Sequence, residues 1–271
     1  VTQPDSPRPL ALAHLTVLGV SPPALFDLAA AAGYASVGLR THPAAPGGIV
    51  YPLEQGQVLP WRRALADAGL RLNDIEFVPL TPQLRVADLA PMLARAGELG
   101  AQRLNVSGDD ADTARLVDTF GAVCDLAAGS GLVVELEFMR FRTIGTLAQA
   151  LAVVQAAARP NGRVLVDLLH LARSGGTPDD LRAAPAEWLG SVQVCDAPAA
   201  DPGDAGAVAE AREGRLMPGD GALPLHAALA ALPADAPLSV EVPSTRTLPG
   251  LDELGRARRA HDATLRVLKG S

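Results

Sequence analysis

An apolar run, VLVDLLH (164–170), carries two polar side chains toward its far end, Asp167 and His170. Other runs do the same. LVVELEF (132–138) contains Glu135 and Glu137, SVQVCD (191–196) contains Gln193 and Asp196, and LSVEVPS (238–244) contains Glu241. Earlier, His14 lies in LAHLTVLG (12–19), Glu76 in NDIEFVPL (73–80) and Asn105 in RLNVSGD (103–109). An unpaired buried carboxylate costs several kcal/mol, on the order of the net stability of a domain. Several converging on one pocket would repel one another and take up protons. A divalent cation resolves that conflict, because it neutralises the carboxylates that coordinate it. Glu137, Asp167, Gln193 and Glu241 are the candidate ligands. All four offer oxygen, which points to one Mn2+ or Mg2+, with Co2+ as a substitute, rather than to structural zinc. An arginine partner for each acid is the plainer alternative.

For these side chains to meet, the runs that carry them must lie side by side. With SVGLR (36–40) they make eight strand candidates, and alanine-rich amphipathic stretches such as TLAQALAVVQAAA separate them. Eight strands, each followed by a helix-sized segment at roughly 30-residue spacing, predict a (β/α)8 barrel. One domain would then span residues 1–271. A barrel gathers polar residues from the C-terminal ends of its strands around one pocket. A doubly wound open sheet fits less well, because TVLGVSPPA has one Gly and no phosphate-binding loop pattern. Segment 197–223, APAADPGDAGAVAEAREGRLMPGDGAL, reads as an irregular excursion after strand seven, where a barrel places an active-site loop.

Composition narrows the partners. The net charge of −7 and the 3% aromatic content argue against nucleic acid and anionic membranes. Lys269 is the only lysine, so Schiff-base and P-loop chemistry are excluded. Cys124 and Cys195 form no metal-type or redox-type pattern and favour a reducing compartment, hence the cytoplasm. The start, VTQPDSPRPL, has no basic segment leading into an apolar core, so no signal peptide is expected.

ELEFMRF, VDLLHLARSGG, VQVCDAP, GRLMPGDG and SVEVPS together resemble the xylose isomerase-like TIM-barrel family, the sugar phosphate isomerase/epimerase superfamily. The resemblance runs in order through the second half of the chain. It implies a single metal held from strands five to eight, which maps onto Glu137, Asp167, Gln193 and Glu241. Many sugar epimerases of the superfamily carry His at the third position; Gln193 is similar instead to 3-dehydroshikimate dehydratases. The choice of Glu137 over Glu135 rests on aligning EFMRF, and Glu135 would lie deeper on the same face. His170, just past Asp167, would hydrogen-bond a substrate hydroxyl or move a proton, its plainer role being to cap a neighbouring carboxylate.

The chemistry so implied is removal of a proton beside a carbonyl, with an enediolate held by the metal. Glu137 and Glu241 are the expected acid–base pair. Return of the proton to the opposite face is epimerisation and return to the next carbon is isomerisation. Loss of a β-hydroxyl is dehydration, of the dehydroshikimate or inosose type. Arg215, in GRLMPGDG, would steady a substrate oxygen or a ligand carboxylate, unless it is a solvated loop arginine. Glu76 and His14 are the further substrate-binding candidates, and Arg40 and His42 could line the rim. Cys195, Trp61 and Trp188 read as packing residues, and His226 and His261 as solvated.

Residues 196–220 hold six acids against Arg212 and Arg215, so a non-phosphorylated substrate is expected. VPLTPQ, after strand three, supplies no arginine for a substrate carboxylate. The expected partner is a small polyhydroxy keto compound, and a homo-oligomer is allowed. Five histidines are too few for the three-metal, DNA-repair branch of the superfamily. A barrel serving only as a binding protein would not need two opposed glutamates.

Overall fold

In the computed structural model, which describes residues 8–44 and 46–270, eight parallel strands close into a barrel in sequence order. They are β1 (Leu10–Leu12), β2 (Ser36–Arg40), β3 (Arg71–Leu80), β4 (Arg103–Gly108), β5 (Val133–Glu137), β6 (Gly162–Asp167), β7 (Leu189–Val194) and β8 (Leu238–Val240). β8 returns to β1 with Leu12 opposite Val240. The surrounding helices are α1 (Pro22–Ala32), α2 (Gln55–Asp67), α3 (Ala90–Leu99), α4 (Thr113–Ala128), α5 (Leu147–Ala157), α6 (Leu168–Arg173), α7 (Pro178–Ala183), α8 (Gly203–Glu213), α9 (Leu225–Ala231) and α10 (Glu253–Lys269). No helix among the described residues is long and apolar enough to cross a membrane. Residues 1–7, part of the stretch behind the signal-peptide expectation, lie outside the described residues.

The sequence periods account for this layering. In β5 the alternate residues Val134 and Leu136 are fully buried, and α4 and α5 pack beside the strand. Glu135 and Glu137 alternate with them and so share the other face, the barrel interior. Helix starts are fixed by local side chains: Asp112 accepts from Arg115 N–H at the head of α4, and Thr146 and Gln149 form a capping box on α5.

Three local expectations change. LAHLTVLG is not one strand: β1 ends at Leu12, and His14–Val17 form a 3-10 turn. Leu15, Val17 and Leu18 carry the apolar run on through the turn, so hydropathy alone could not separate it from a strand. VLVDLLH also divides. β6 stops at Asp167, whose carboxylate accepts the His170 N–H at 3.0 Å and starts α6. The excursion after strand seven contains an eleven-residue helix, α8, hidden in the sequence by its Gly and Ala content. Asp196 ties both ends of that excursion together. Its carboxylate accepts the N–H groups of Ala197, Gly219, Gly221 and Leu223, so it is a loop anchor rather than a pocket acid.

Below the pocket the barrel interior holds a second charged layer. Arg103 reaches Glu135 at 3.5 Å and donates to Asn73 Oδ1 at 3.0 Å. Glu135 accepts from Ser191 N–H at 2.8 Å and from the Ser191 hydroxyl. Two glycines make room for these acids. A Cβ on Gly38 would lie 2.6 Å from Asp74 Oδ1, and one on Gly190 would lie 2.4 Å from Glu135 Oε1. Asp74 accepts from Asn73 Nδ2 at 2.6 Å, but its Oδ1 is buried without a partner.

Burial, and then the nearby Glu76, push Asp74 up to about 7. Its folded pKa therefore exceeds its unfolded value. The proton it retains favours the folded state at low pH, and that stability is lost as pH rises from about 4 through 7. Asp74→Asn should remove the dependence. Thermal melts at pH 4 and pH 8 should show near-equal stabilities at the lower pH. At the higher pH the variant should gain about 2–4 kcal/mol, at about 1.4 kcal/mol per pKa unit. Parallel melting curves for the two proteins would assign the charge elsewhere.

Candidate active site

The C-terminal ends of β5 to β8 bring four of the predicted residues together. Glu137 ends β5, Asp167 ends β6, and Asp167 stands in register with Gln193 on β7. Glu241 follows β8, and its N–H donates to Val194 O at 3.1 Å. All four side chains are buried. Gln193 Nε2 donates to Glu241 Oε1 at 2.9 Å, which leaves Gln193 Oε1 buried with no partner.

Arg215 is the hub of this cluster. It is 1% exposed, which excludes a solvated loop arginine. Nη1 donates to Asp167 Oδ2, Nη2 lies 2.8 Å from Glu241 Oε2, and Nε donates to Ala211 O at 3.0 Å. Burial works to raise the Asp167 pKa, but Arg215 and then His170 outweigh it and hold the carboxyl below its usual value. Glu241 is pushed up to about 8 by burial, despite Arg215. Glu137 has no arginine within ion-pair distance among the described residues. Burial, then Glu241 and Asp167, drive its pKa well above the ordinary value.

The arginine-partner alternative is therefore realised in part. Arg40 pairs Glu76 at 2.7 Å and Arg103 pairs Glu135, but Asp167 and Glu241 share one arginine. Were Glu137, Asp167 and Glu241 all ionised against one guanidinium, two negative charges would be buried together, and the raised pKa values of Glu137 and Glu241 express that conflict. That conflict, the oxygen donors and the orphaned Gln193 Oε1 fit a divalent cation. Among His, Cys, Asp and Glu, potential ligand atoms of Glu137, Asp167 and His170 all lie within 4.8 Å of one another. His170 thus competes with Gln193 and Glu241 as a ligand. Its Nε2 lies 3.8 Å from Glu137 Oε1, its ring meets Phe141 edge-on, and burial lowers its pKa to about 4. The ring is neutral at pH 7, as a ligand or a hydrogen-bond partner must be.

Of the predicted substrate contacts, Glu76 lines the cavity, with Oε1 accepting His14 N–H at 2.9 Å and Oε2 engaged by Arg40. His14 does not line it. Its Nδ1 accepts Arg40 N–H at 3.0 Å, Nε2 lies 2.9 Å from Val20 O, and its ring stacks on Tyr51. With both ring nitrogens used it is a structural histidine, and the substrate-contact expectation is withdrawn. His261 is not solvated either; it packs edge-on against Tyr34.

Counted together with the open solvent at its mouth, the cavity holds about 530 Å3 of space between atoms. Asn105, whose Oδ1 is also buried without a partner, lies in its wall. Phe77, Met139, Phe141, Arg142 and Arg212 complete much of it, and none was singled out from the sequence. Arg142 sits beside the ELEFMRF motif, which was the one available signal. Arg212 entered only as a loop charge, because α8 was not foreseen.

Comparisons with known proteins agree with this architecture. The chain superposes on a xylose isomerase-like TIM barrel/4-hydroxyphenylpyruvate dioxygenase fusion protein with a TM-score of 0.78 and 21% identity, covering 98% of this chain but only 43% of that one. The IOLI protein, solved with a binding zinc atom, superposes with a TM-score of 0.80 and 20% identity over 97% of this chain and 98% of its own. A D-psicose 3-epimerase crystallised in the presence of D-fructose gives 0.73 and 16% identity, over 94% and 96%. No curated protein matches the sequence. A family model does: residues 26–269 match it, and the chain belongs to the xylose isomerase-like TIM barrel family.

Proposed function

We propose that the protein is a divalent-metal-dependent isomerase or epimerase of a small, non-phosphorylated keto-sugar or polyol. The observation that carries this reading is the buried cluster of three carboxyl groups, Glu137, Asp167 and Glu241, around a single arginine at the wall of one cavity. Glu137, Asp167 and Glu241, with Gln193 or His170, would hold Mn2+, Mg2+ or Co2+. A cation bound there would polarise a carbonyl and ease loss of the neighbouring carbon-bound proton.

The chain's own groups supply the rest. Glu137 and Glu241 descend from strands on different sides of the barrel mouth, so one takes the proton and the other returns it. Arg215 stabilises Asp167 and Glu241 from the buried side. Phe77, Met139 and Phe141 add apolar wall between the charged groups, which strengthens the electrostatic contacts beside them.

A dehydratase of a cyclic keto compound is the second reading, and Gln193 favours it, because that residue resembles the third ligand of dehydroshikimate dehydratases. Two measurements test the choice. Mn2+ titration followed by electron paramagnetic resonance should show one ion per chain; failure to bind Mn2+, Mg2+ or Co2+ would leave a non-catalytic barrel. Proton NMR in D2O with a panel of keto-sugars should show deuterium entering beside the carbonyl. Ultraviolet absorbance from an enone or aromatic product would instead identify a lyase.

A further inference from the structure

Four arginines line the cavity, at two levels. Arg215 is fully buried between Asp167 and Glu241, Arg40 is buried beside Glu76, Arg142 is half-buried and Arg212 is exposed. The Arg40 and Arg142 guanidinium carbons lie 5.9 and 5.7 Å from the centre of the Phe77 ring. Arg40 is neutralised by Glu76, and Arg142 Nη1 donates to Asp109 Oδ2 at 3.1 Å. Arg142 Nε is buried with no partner. Arg212 has no carboxylate within ion-pair distance among the described residues. Burial, and then the Arg142 and Arg40 charges, hold its pKa below the usual arginine value.

An exposed arginine repelled by two others would ordinarily swing into solvent. The backbone of this one is held in place. Arg173 on α6 donates to both oxygens of Glu210, at 2.9 and 2.7 Å, and Glu210 lies two residues before Arg212 on α8. Arg140 pairs Asp201 at 2.6 Å just ahead of that helix. The two latches hold the backbone of α8 beside the cavity that Arg212 lines.

We infer that Arg142 and Arg212 form a clamp for a carboxylate group of the substrate, above the level of Glu137, Asp167 and Glu241. The inference rests on the reading that this cavity takes a small keto compound, and it names the class: keto acids rather than neutral sugars. Two observations carry it: Arg142 and Arg212 line one cavity, and Arg212 has no carboxylate partner among the described residues while it feels the Arg142 charge. Guanidinium presents a planar fork that matches a carboxylate, and the Phe77 face beside it lowers the local dielectric. Charge selects among anions. Two neutral pairs and one spare guanidinium leave a single positive charge, which suits a monoanion; a phosphate ester brings about −1.5 to −2. The two arginines come from the β5–α5 loop and from α8 rather than from VPLTPQ after β3.

A matched pair of ligands tests this. 5-Keto-D-gluconate and L-sorbose differ only in a carboxylate against a hydroxymethyl at the end remote from the ketone. Isothermal titration of the Mn2+-loaded protein should give an affinity for the keto acid at least about ten-fold higher, as charge-assisted hydrogen bonds provide. In Arg142→Gln and Arg212→Gln the ratio of keto-acid to L-sorbose affinity should shrink to about two-fold or less, with circular dichroism confirming the fold of each variant, because Arg142→Gln also gives up its pair with Asp109. Equal affinities in the wild type, no binding of either ligand, or an undiminished preference in both variants would overturn the clamp. Tighter binding of D-fructose 6-phosphate than of the keto acid would overturn it as well. Retained keto-acid preference in a protein that binds no Mn2+ would sustain the clamp while removing the metal-dependent reading. Mn2+ and L-sorbose binding without the preference would do the reverse.

Discussion

Arg215→Met is expected to lower the melting temperature by roughly 10 °C. The substitution keeps most of the side-chain volume and removes the charge. Asp167 and Glu241 would then lose their common partner while remaining buried, at 0% and 3% exposure. Removing one member of a buried ion pair costs about 3–5 kcal/mol, because the other is left uncompensated. In a chain of this size each kcal/mol moves the midpoint by about 2–4 °C. The same variant distinguishes a structural charge network from a metal centre. Three carboxylates without a guanidinium attract a divalent cation more strongly than three with one. Millimolar Mn2+ should therefore raise the melting temperature of Arg215→Met more than that of the wild type, and Mg2+ should act in the same direction. A variant as stable as the wild type would mean that Asp167 and Glu241 are protonated rather than paired. A variant that is destabilised but indifferent to either ion would count against the metal centre.

The barrel and the mouth of its site could be read from the sequence for a common reason. Strand order in a parallel barrel follows chain order, so strand-end residues converge once the strands are recognised, without knowledge of any long-range contact. Glu137, Asp167, Gln193 and Glu241 stand at the ends of consecutive strands for that reason. What escaped the sequence depends on contacts between distant segments. Arg215 stands 48 residues from Asp167, and nothing in GRLMPGDG says whether its side chain turns inward or outward. His14 was ambiguous because a lone histidine has no spacing pattern; its two ring bonds, to Arg40 N–H and Val20 O, belong to the folded chain alone. Arg212 was missed through α8, where Gly203, Gly206 and four alanines blur the helical pattern and the latches Arg173–Glu210 and Arg140–Asp201 compensate for the weak glycines.

Substituting the two opposed glutamates should have the largest effect on turnover. Glu137→Gln and Glu241→Gln are each expected to lose epimerisation or isomerisation by about a thousand-fold or more, within the range assigned to general acid–base groups. Glutamine keeps an oxygen for the cation and the shape of the side chain but cannot accept the substrate proton. The two variants should differ in what survives. With two bases on opposite faces of the reacting carbon, removal of one leaves the other able to abstract and return a proton on its own face. In D2O, Glu137→Gln should then exchange the carbon-bound hydrogen of one epimer without inverting it, and Glu241→Gln should exchange only the other epimer. Proton NMR of each pure epimer reads this directly. Loss of exchange from both epimers in one variant, with full exchange in the other, would identify a single base serving both faces. Wild-type turnover in Glu241→Gln would remove that residue from proton transfer. Its bond to Gln193 and its pairing with Arg215 would then be its whole role.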